Sequence, residues 1–171
     1  FGRGRGRRLL VNISAGLAFR RWPAERYVAV IRRALERDPS LRVIVIASPA
    51  EAALGDAIAG DTRSGRVAFQ RTAGIRDAIA LVATSDLVFT PDTSIAHAAT
   101  AFARPSVVLY VSDTAREWGR YGNPGRDLAS ADRTLASLPL APALAALEEL
   151  LNMDAHGSSV AAAPRTPLQE Q

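Results

Sequence analysis

Leu87-Val88-Phe89-Thr90-Pro91-Asp92-Thr93-Ser94-Ile95-Ala96-His97 carries the chain from an apolar, strand-like run into an Ala-rich, helix-like stretch, Ala98 to Ala103. Such a turn gathers the partnerless N–H groups of a helix's first turn and the positive end of its dipole. It is a natural anion site, with phosphate as the usual occupant. Asp92, the hydroxyls of Thr93 and Ser94, and the His97 imidazole fall within six residues, a mixture able to bind a phosphorylated sugar donor. The same side chains also have a plainer use. Asp, Thr or Ser at a helix start caps orphan N–H groups, and a histidine can be structural. His97 is one of only two histidines and follows Ser94 by three residues, where its ring can point back toward a crevice.

Outward from this turn, strand and helix signals alternate. Leu9 to Ile13 reads as a buried strand ending at the small residues Ser14-Ala15-Gly16. Pro23 to Arg37 reads as a helix, with Tyr27, Val30, Ile31 and Leu35 on its apolar face. Leu41 to Ala47 is a second strand, apolar after Arg42 as a strand covered on both faces should be. A helix from Ser48 to about Ala59, a strand at 66–69 and a helix at 75–83 follow. Beyond the opening stretch come a helix at 94–102, a strand at 105–110, a turn-rich polar segment at 111–130 and a closing helix at 141–151. The alternation predicts an α/β domain, a doubly wound parallel sheet of Rossmann-like type. Ligands in such sheets bind beyond the carboxyl ends of the strands. Residues 14–16, 47–51, 91–97 and 111–114 lie there and are candidates for one crevice.

The chain's 171 residues and 48% apolar content suit one packed domain. No apolar run approaches the ~20 residues of a membrane-spanning helix. With no cysteine, disulfides and thiolate metal sites are excluded. The net charge of +4 comes from Arg3, Arg5, Arg7 and Arg8. Without them the other arginines match the 17 acidic side chains. Residues 1–8 therefore read as a basic arm or interdomain linker, and nucleic acid is not an expected partner. Residues 152–171 turn to Gly, Ser, Ala, Pro and Gln, a tail expected to be disordered. The expected compartment is the cytoplasm.

Two further constellations stand near the strand ends. Arg20-Arg21-Trp22-Pro23 places an arginine within reach of a diphosphate, where a fixed cation stabilises leaving-group charge. It also reads as a solvated pair with Trp22 as an N-terminal staple. Ser48-x-x-Glu51 has a capping-box spacing, and Glu51 is also placed to accept hydrogen bonds from a ribose. There is no GxGxxG after the first strand and no GxxxxGK[ST], HExxH or GxSxG, which argues against dehydrogenase, P-loop, zinc-hydrolase and serine-triad chemistry.

Taken in order, these segments resemble the C-terminal lobe of glycosyltransferase family 9, the heptosyltransferases. The matching residues are Asn12-Ile13-Ser14-Ala15-Gly16, Arg20-Arg21-Trp22-Pro23, Ala47-Ser48-Pro49-Ala50-Glu51, Asp92-Thr93-Ser94-Ile95-Ala96-His97-Ala98-Ala99-Thr100-Ala101 with Pro105 and its strand, and Tyr121-Gly122. The likeness covers about residues 9 to 151. It implies a GT-B fold of two Rossmann-like lobes, of which this is the lobe that binds a nucleotide diphosphate sugar such as ADP-heptose. By the same likeness, Asp92, Thr93, Ser94 and His97 would meet the diphosphate and sugar. Arg20 would lie near the phosphates, Glu51 at the ribose, and Ser14, Ala15 and Gly16 along the phosphate edge.

Ser94 stands where the family has glycine, and Val111-Ser112-Asp113 replaces its Gly-Pro-Thr. The family's acceptor site and catalytic aspartate belong to an N-terminal lobe not found here. The chain alone is thus expected to bind a donor without turning it over, and its catalytic base is unassigned. The implied enzyme inverts configuration, needs no metal or cofactor, and transfers sugar to a saccharide or lipid-linked acceptor of the cell envelope, with at most peripheral contact at the membrane's inner face. The rival reading is a non-catalytic module that holds a nucleotide or another protein. A nucleotide-sugar epimerase shares the fold but would need an acid/base set that the sequence does not offer.

Overall fold

A computed structural model describes residues 6–112 and 122–153. Six strands, β1 (Arg8–Asn12), β2 (Arg42–Ala47), β3 (Val67–Arg71), β4 (Leu87–Pro91), β5 (Ser106–Tyr110) and β6 (Gly125–Ala129), form one parallel sheet in the order β3-β2-β1-β4-β5-β6. The helices are α1 (Ala24–Arg37), α2 (Ala52–Asp61), α3 (Ile75–Ala83), α4 (Ser94–Ala101) and α5 (Leu140–Leu151). The expected α/β class and doubly wound arrangement are what the structure shows.

The strands are apolar on both sides because both sides are covered. Leu9, Val11, Val43, Val45, Phe89, Val107 and Leu109 pack under α1 and α5 in the larger core. Leu10, Ile44, Ile46 and Val88 meet Ala78 and Val82 of α3 and Ile95, Ala98 and Ala99 of α4. Chain direction across the sheet reverses between β1 and β4, the switch point where such sheets open a crevice.

α1 is set by its entry. Trp22 is buried and packs edge-on against Tyr27, ring centroids 5.0 Å apart. That is the expected staple, from the residue before the cap to the fourth helical residue. The indole Nε1–H donates to Leu138 O at 3.0 Å, fixing the loop before α5 as well.

Four expectations need correction. Pro23 is the cap of α1 and not its first helical residue. Ser48 and Glu51 form no capping box: Pro49–Glu51 is a 3-10 turn, Ser48 accepts no side-chain cap bond, and its Oγ–H donates to Glu51 Oε2 at 2.8 Å. The polar stretch read as turns contains β6, an exposed edge strand whose Arg126 pairs with Glu149 of α5. Finally, Arg7 and Arg8, counted with the basic arm, are tied into the domain. Arg7 donates to Leu151 O at 2.7 Å and Met153 O at 2.8 Å and pairs with Asp38, while Arg8 N–H donates to Asp86 Oδ2 at 2.7 Å. Residues 1–5 and nearly all of the C-terminal tail lie outside the described residues. Among the described residues no helix is long and apolar enough to cross a membrane.

Candidate functional site

The crevice opens because two central strands part company. The β1–β2 ladder runs to Asn12 opposite Ile46, and the β4–β5 ladder to Pro91 opposite Leu109, but the β1–β4 ladder stops at Val11 opposite Phe89. Beyond that point side chains replace the backbone ladder. Asn12, buried at 1% exposure, donates one amide hydrogen to Thr90 Oγ1 at 2.9 Å and the other to Thr93 Oγ1 at 3.1 Å. Its Oδ1 accepts from Ser14 N–H at 3.1 Å. Ser14 Oγ in turn accepts from Ser48 N–H at 2.5 Å. One string of hydrogen bonds therefore crosses the ends of β4, β1 and β2.

Above this string lies a cleft of about 200 Å³. Polar residues Asn12, Ser14, Ser48, Thr93 and Ser94 line part of its wall, and Ile46, Ala47, Pro49, Ile75, Ala78 and Ile95 line most of the rest. Thr72 and Gly74, from the loop between β3 and α3, complete it. The combination suits a ligand with a polar, hydrogen-bond-accepting part and a flat apolar part.

Thr93 is both a cap and a lining residue. It is the N-cap of α4, and its Oγ1 accepts from Ile95 N–H at 3.3 Å. Asp92 N–H donates to Leu109 O, which pins the turn to β5. Arg20 reaches back to the turn. Its Nη1 lies 3.5 Å from Asp92 O and 3.7 Å from Asp92 Oδ2, with the guanidinium about one third exposed. The neighbouring arginine goes elsewhere: Arg21 Nε is 3.4 Å from Glu51 Oε1. Each member of the Arg20-Arg21 pair thus sits beside its own carboxylate, a cation next to the turn and a second next to Glu51.

Glu51 is buried and stands behind Ser48, not in the cleft wall. Among the described residues its Oε1 has the Arg21 charge nearby but no hydrogen bond. The buried Tyr27 hydroxyl also lacks a hydrogen-bond partner among them. Burial, reinforced by the negative Glu51, pushes its pKa far above the usual tyrosine value.

Of the residues singled out in the sequence, Ser14, Thr93 and Ser94 line the cleft, and Asp92 with Arg20 forms a pair within the adjoining turn. Ala15 is buried, and Gly16 is exposed with a φ of +65°, which lets the chain turn after β1. His97 is exposed on the first turn of α4 and is not among the residues lining the cleft. Val111 and Ser112 do not line it either, and Asp113, Thr114 and Tyr121 lie outside the described residues. Asn12, Thr90 and the Thr72–Ile75 segment were missed. The signal for the first two was present: each is a lone polar residue at the end of an apolar strand. Among the described residues no cluster of acidic and histidine side chains is arranged to hold a metal ion.

Among solved structures, these three share this architecture. A glycosyltransferase family 9 protein from Veillonella parvula matches with a TM-score of 0.74 at 16% identity, over 86% of this chain and 47% of its own. The E. coli heptosyltransferase WaaC with ADP gives 0.73 at 19%, over 85% and 44%. The E. coli ADP-heptose lps heptosyltransferase II gives 0.69 at 19%, over 86% and 47%. At these identities the likeness establishes the fold, a Rossmann-like lobe of the GT-B type, and the chain spans about half the length of each relative. No curated protein sequence matches. The sequence model of glycosyltransferase family 9 (heptosyltransferase) does match, over residues 5–136, a range that holds β1 through β6 and every residue of the cleft. This chain belongs to glycosyltransferase family 9.

Proposed function

We propose that this chain is the donor-binding lobe of an inverting glycosyltransferase that takes a nucleotide diphosphate sugar such as an ADP-sugar. Family membership supports sugar transfer in general. The observation that carries the finer reading is the cleft at the β1/β4 split, whose lining combines the Ser14, Thr93 and Ser94 hydroxyls and a helix N-terminus with apolar side chains. The diphosphate would lie along Ser14, Thr93 and Ser94, with Arg20 completing the charge, and the base would lie against Pro49, Ile75 and Ala78. Glu51, held by Ser48 and Arg21, would turn to the ribose.

In the reaction, an acceptor hydroxyl oxygen forms a bond to the anomeric carbon. The bond from that carbon to the diphosphate oxygen breaks, and its electron pair leaves with the nucleoside diphosphate. The hydroxyl proton passes to a general base, which the family resemblance would place in the partner lobe of the enzyme. Arg20 and the first turn of α4 would stabilise the charge on the leaving group, and His97, exposed on that turn outside the cleft, would meet the donor where it extends past the cleft. The acceptor is a cell-envelope saccharide, reached at the cytoplasmic face of the membrane. The test is calorimetric titration of the chain with ADP, UDP and GDP and their sugars, alongside His97→Ala and Arg20→Ala. One nucleotide series should bind, more weakly in both variants. Failure of all three to bind removes the donor-lobe reading.

A further inference from the structure

We propose that Asn12 is a positioning residue, which turns the lone pairs of Thr93 inward and so leaves the Thr93 hydroxyl proton for a diphosphate oxygen in the cleft. This rests on the donor-site reading and explains how that site acquires its polarity.

The orientation of the Asn12 amide follows from its partners. Ser14 N–H can only donate, so the atom facing it at 3.1 Å is Oδ1. The Nδ2 group then faces the two threonines and spends one hydrogen on each. Thr90 Oγ1 accepts one of these and donates its own proton to Pro91 O at 2.8 Å. Thr93 Oγ1 accepts from Asn12 and from Ile95 N–H, which occupies both of its lone pairs. Among the described residues its proton has only a long contact, to Thr90 Oγ1 at 3.4 Å. A phosphate oxygen in the cleft offers a shorter, charge-assisted bond.

Ser14 is treated in the same way one step along the string. Asn12 Oδ1 holds its backbone, and its Oγ accepts from Ser48 N–H. Among the described residues no acceptor takes the Ser14 hydroxyl proton, and Ser14 lines the cleft. The wall therefore presents donors, which favours an oxyanion. Asn12, 1% exposed, acts on the Thr93 hydroxyl through its Nδ2 hydrogen, while its Oδ1 holds only the Ser14 backbone.

The experiment is a double-mutant cycle. The wild-type chain, Asn12→Leu, Thr93→Val and the double variant are titrated with ADP, UDP or GDP, whichever the wild type binds most tightly. Leucine keeps the branching and heavy-atom count of asparagine, is somewhat bulkier, and offers no donor. Asn12→Leu should weaken binding about tenfold or more in the wild type and less than about twofold once Thr93 is valine. Equal losses in both backgrounds overturn the proposal while leaving the donor site standing. A wild type that binds none of the three nucleotides overturns the donor-site reading, and this proposal with it. Should Asn12→Leu fail to fold, the wild type answers by ¹⁵N NMR. The Asn12 side-chain amide pair should shift as the nucleotide is added, and should not shift in Thr93→Val. An amide pair indifferent to the nucleotide overturns the proposal.

Discussion

Replacing Thr93 by valine separates the two duties that this residue combines. The substitution keeps the branched shape and removes only the hydroxyl. Ile95 N–H then loses its cap, a loss of about 1 kcal/mol. Asn12 Nδ2, fully buried, loses one of its two acceptors, and a buried donor without a partner costs about 1–3 kcal/mol. Together these lower the melting temperature by about 5–15 °C for a chain of this size. Binding suffers separately. A hydroxyl donating to a charged phosphate contributes about 1.5–3 kcal/mol, which is a loss of about 10- to 150-fold in affinity for the nucleotide diphosphate. Thermal melts followed by circular dichroism give the first quantity, and calorimetry at 25 °C, where both proteins are folded, gives the second. Thr93→Ser should restore both. A variant that melts lower yet binds as the wild type does would make Thr93 a helix cap and nothing more. A variant unchanged in both would refute the hydrogen-bond string itself.

Three other outcomes follow from the same structure. Arg20→Ala should weaken binding of the nucleotide diphosphate by about tenfold at low salt and less at high salt, because its guanidinium is partly exposed and screened; titrations at two ionic strengths check this. Gly125→Ala should destabilise the fold by about 2–4 kcal/mol, read as a lower urea midpoint, because Gly125 has a φ of +137° and an added Cβ would collide with Ser106 O. Burial alone would raise the Asp38 carboxyl, but hydrogen bonds from Ser40 and Arg7 and the Arg7 charge hold it below the usual value. A depressed folded pKa gives stability that is full above the unfolded value of about 4 and is lost as pH falls through the folded value. The stability advantage of wild type over Asp38→Asn, measured by urea unfolding from pH 6 downward, should therefore shrink in acid.

Much of the fold is legible because hydrophobic periodicity and turn residues agree. α3 begins and ends where its apolar spacing says, and β2 is apolar because α1 and α3 cover its two faces. β6 is hidden for the opposite reason. An edge strand with Arg126 and Asp127 turned to solvent has no apolar signature, and its place depends on pairing with β5. Arg7 and Arg8 look like part of a charged arm because charge says nothing about the carbonyls of Leu151 and Met153, which come close only in the folded chain. The candidate site divides similarly. The Asp92–His97 turn stands out locally, whereas Asn12 matters through Thr90, Thr93 and Ser14, partners far apart in sequence or hidden until β1 and β4 diverge. At Thr93 the cap and the proposed site are compatible, because capping uses a lone pair and leaves the hydroxyl proton.

The proposed donor function depends on a nucleotide diphosphate binding at the split between β1 and β4. Its most direct test is an ¹⁵N NMR titration of the whole chain with ADP, UDP and GDP. One of them should shift the backbone amides of Asn12–Gly16, of Ser48, Ala50 and Glu51, and of Asp92–His97. The amides lining the groove between α1 and α2, around Glu25, Arg32 and Arg63, should stay in place. Shifts centred on that second groove, or no shifts with any of the three, would contradict it.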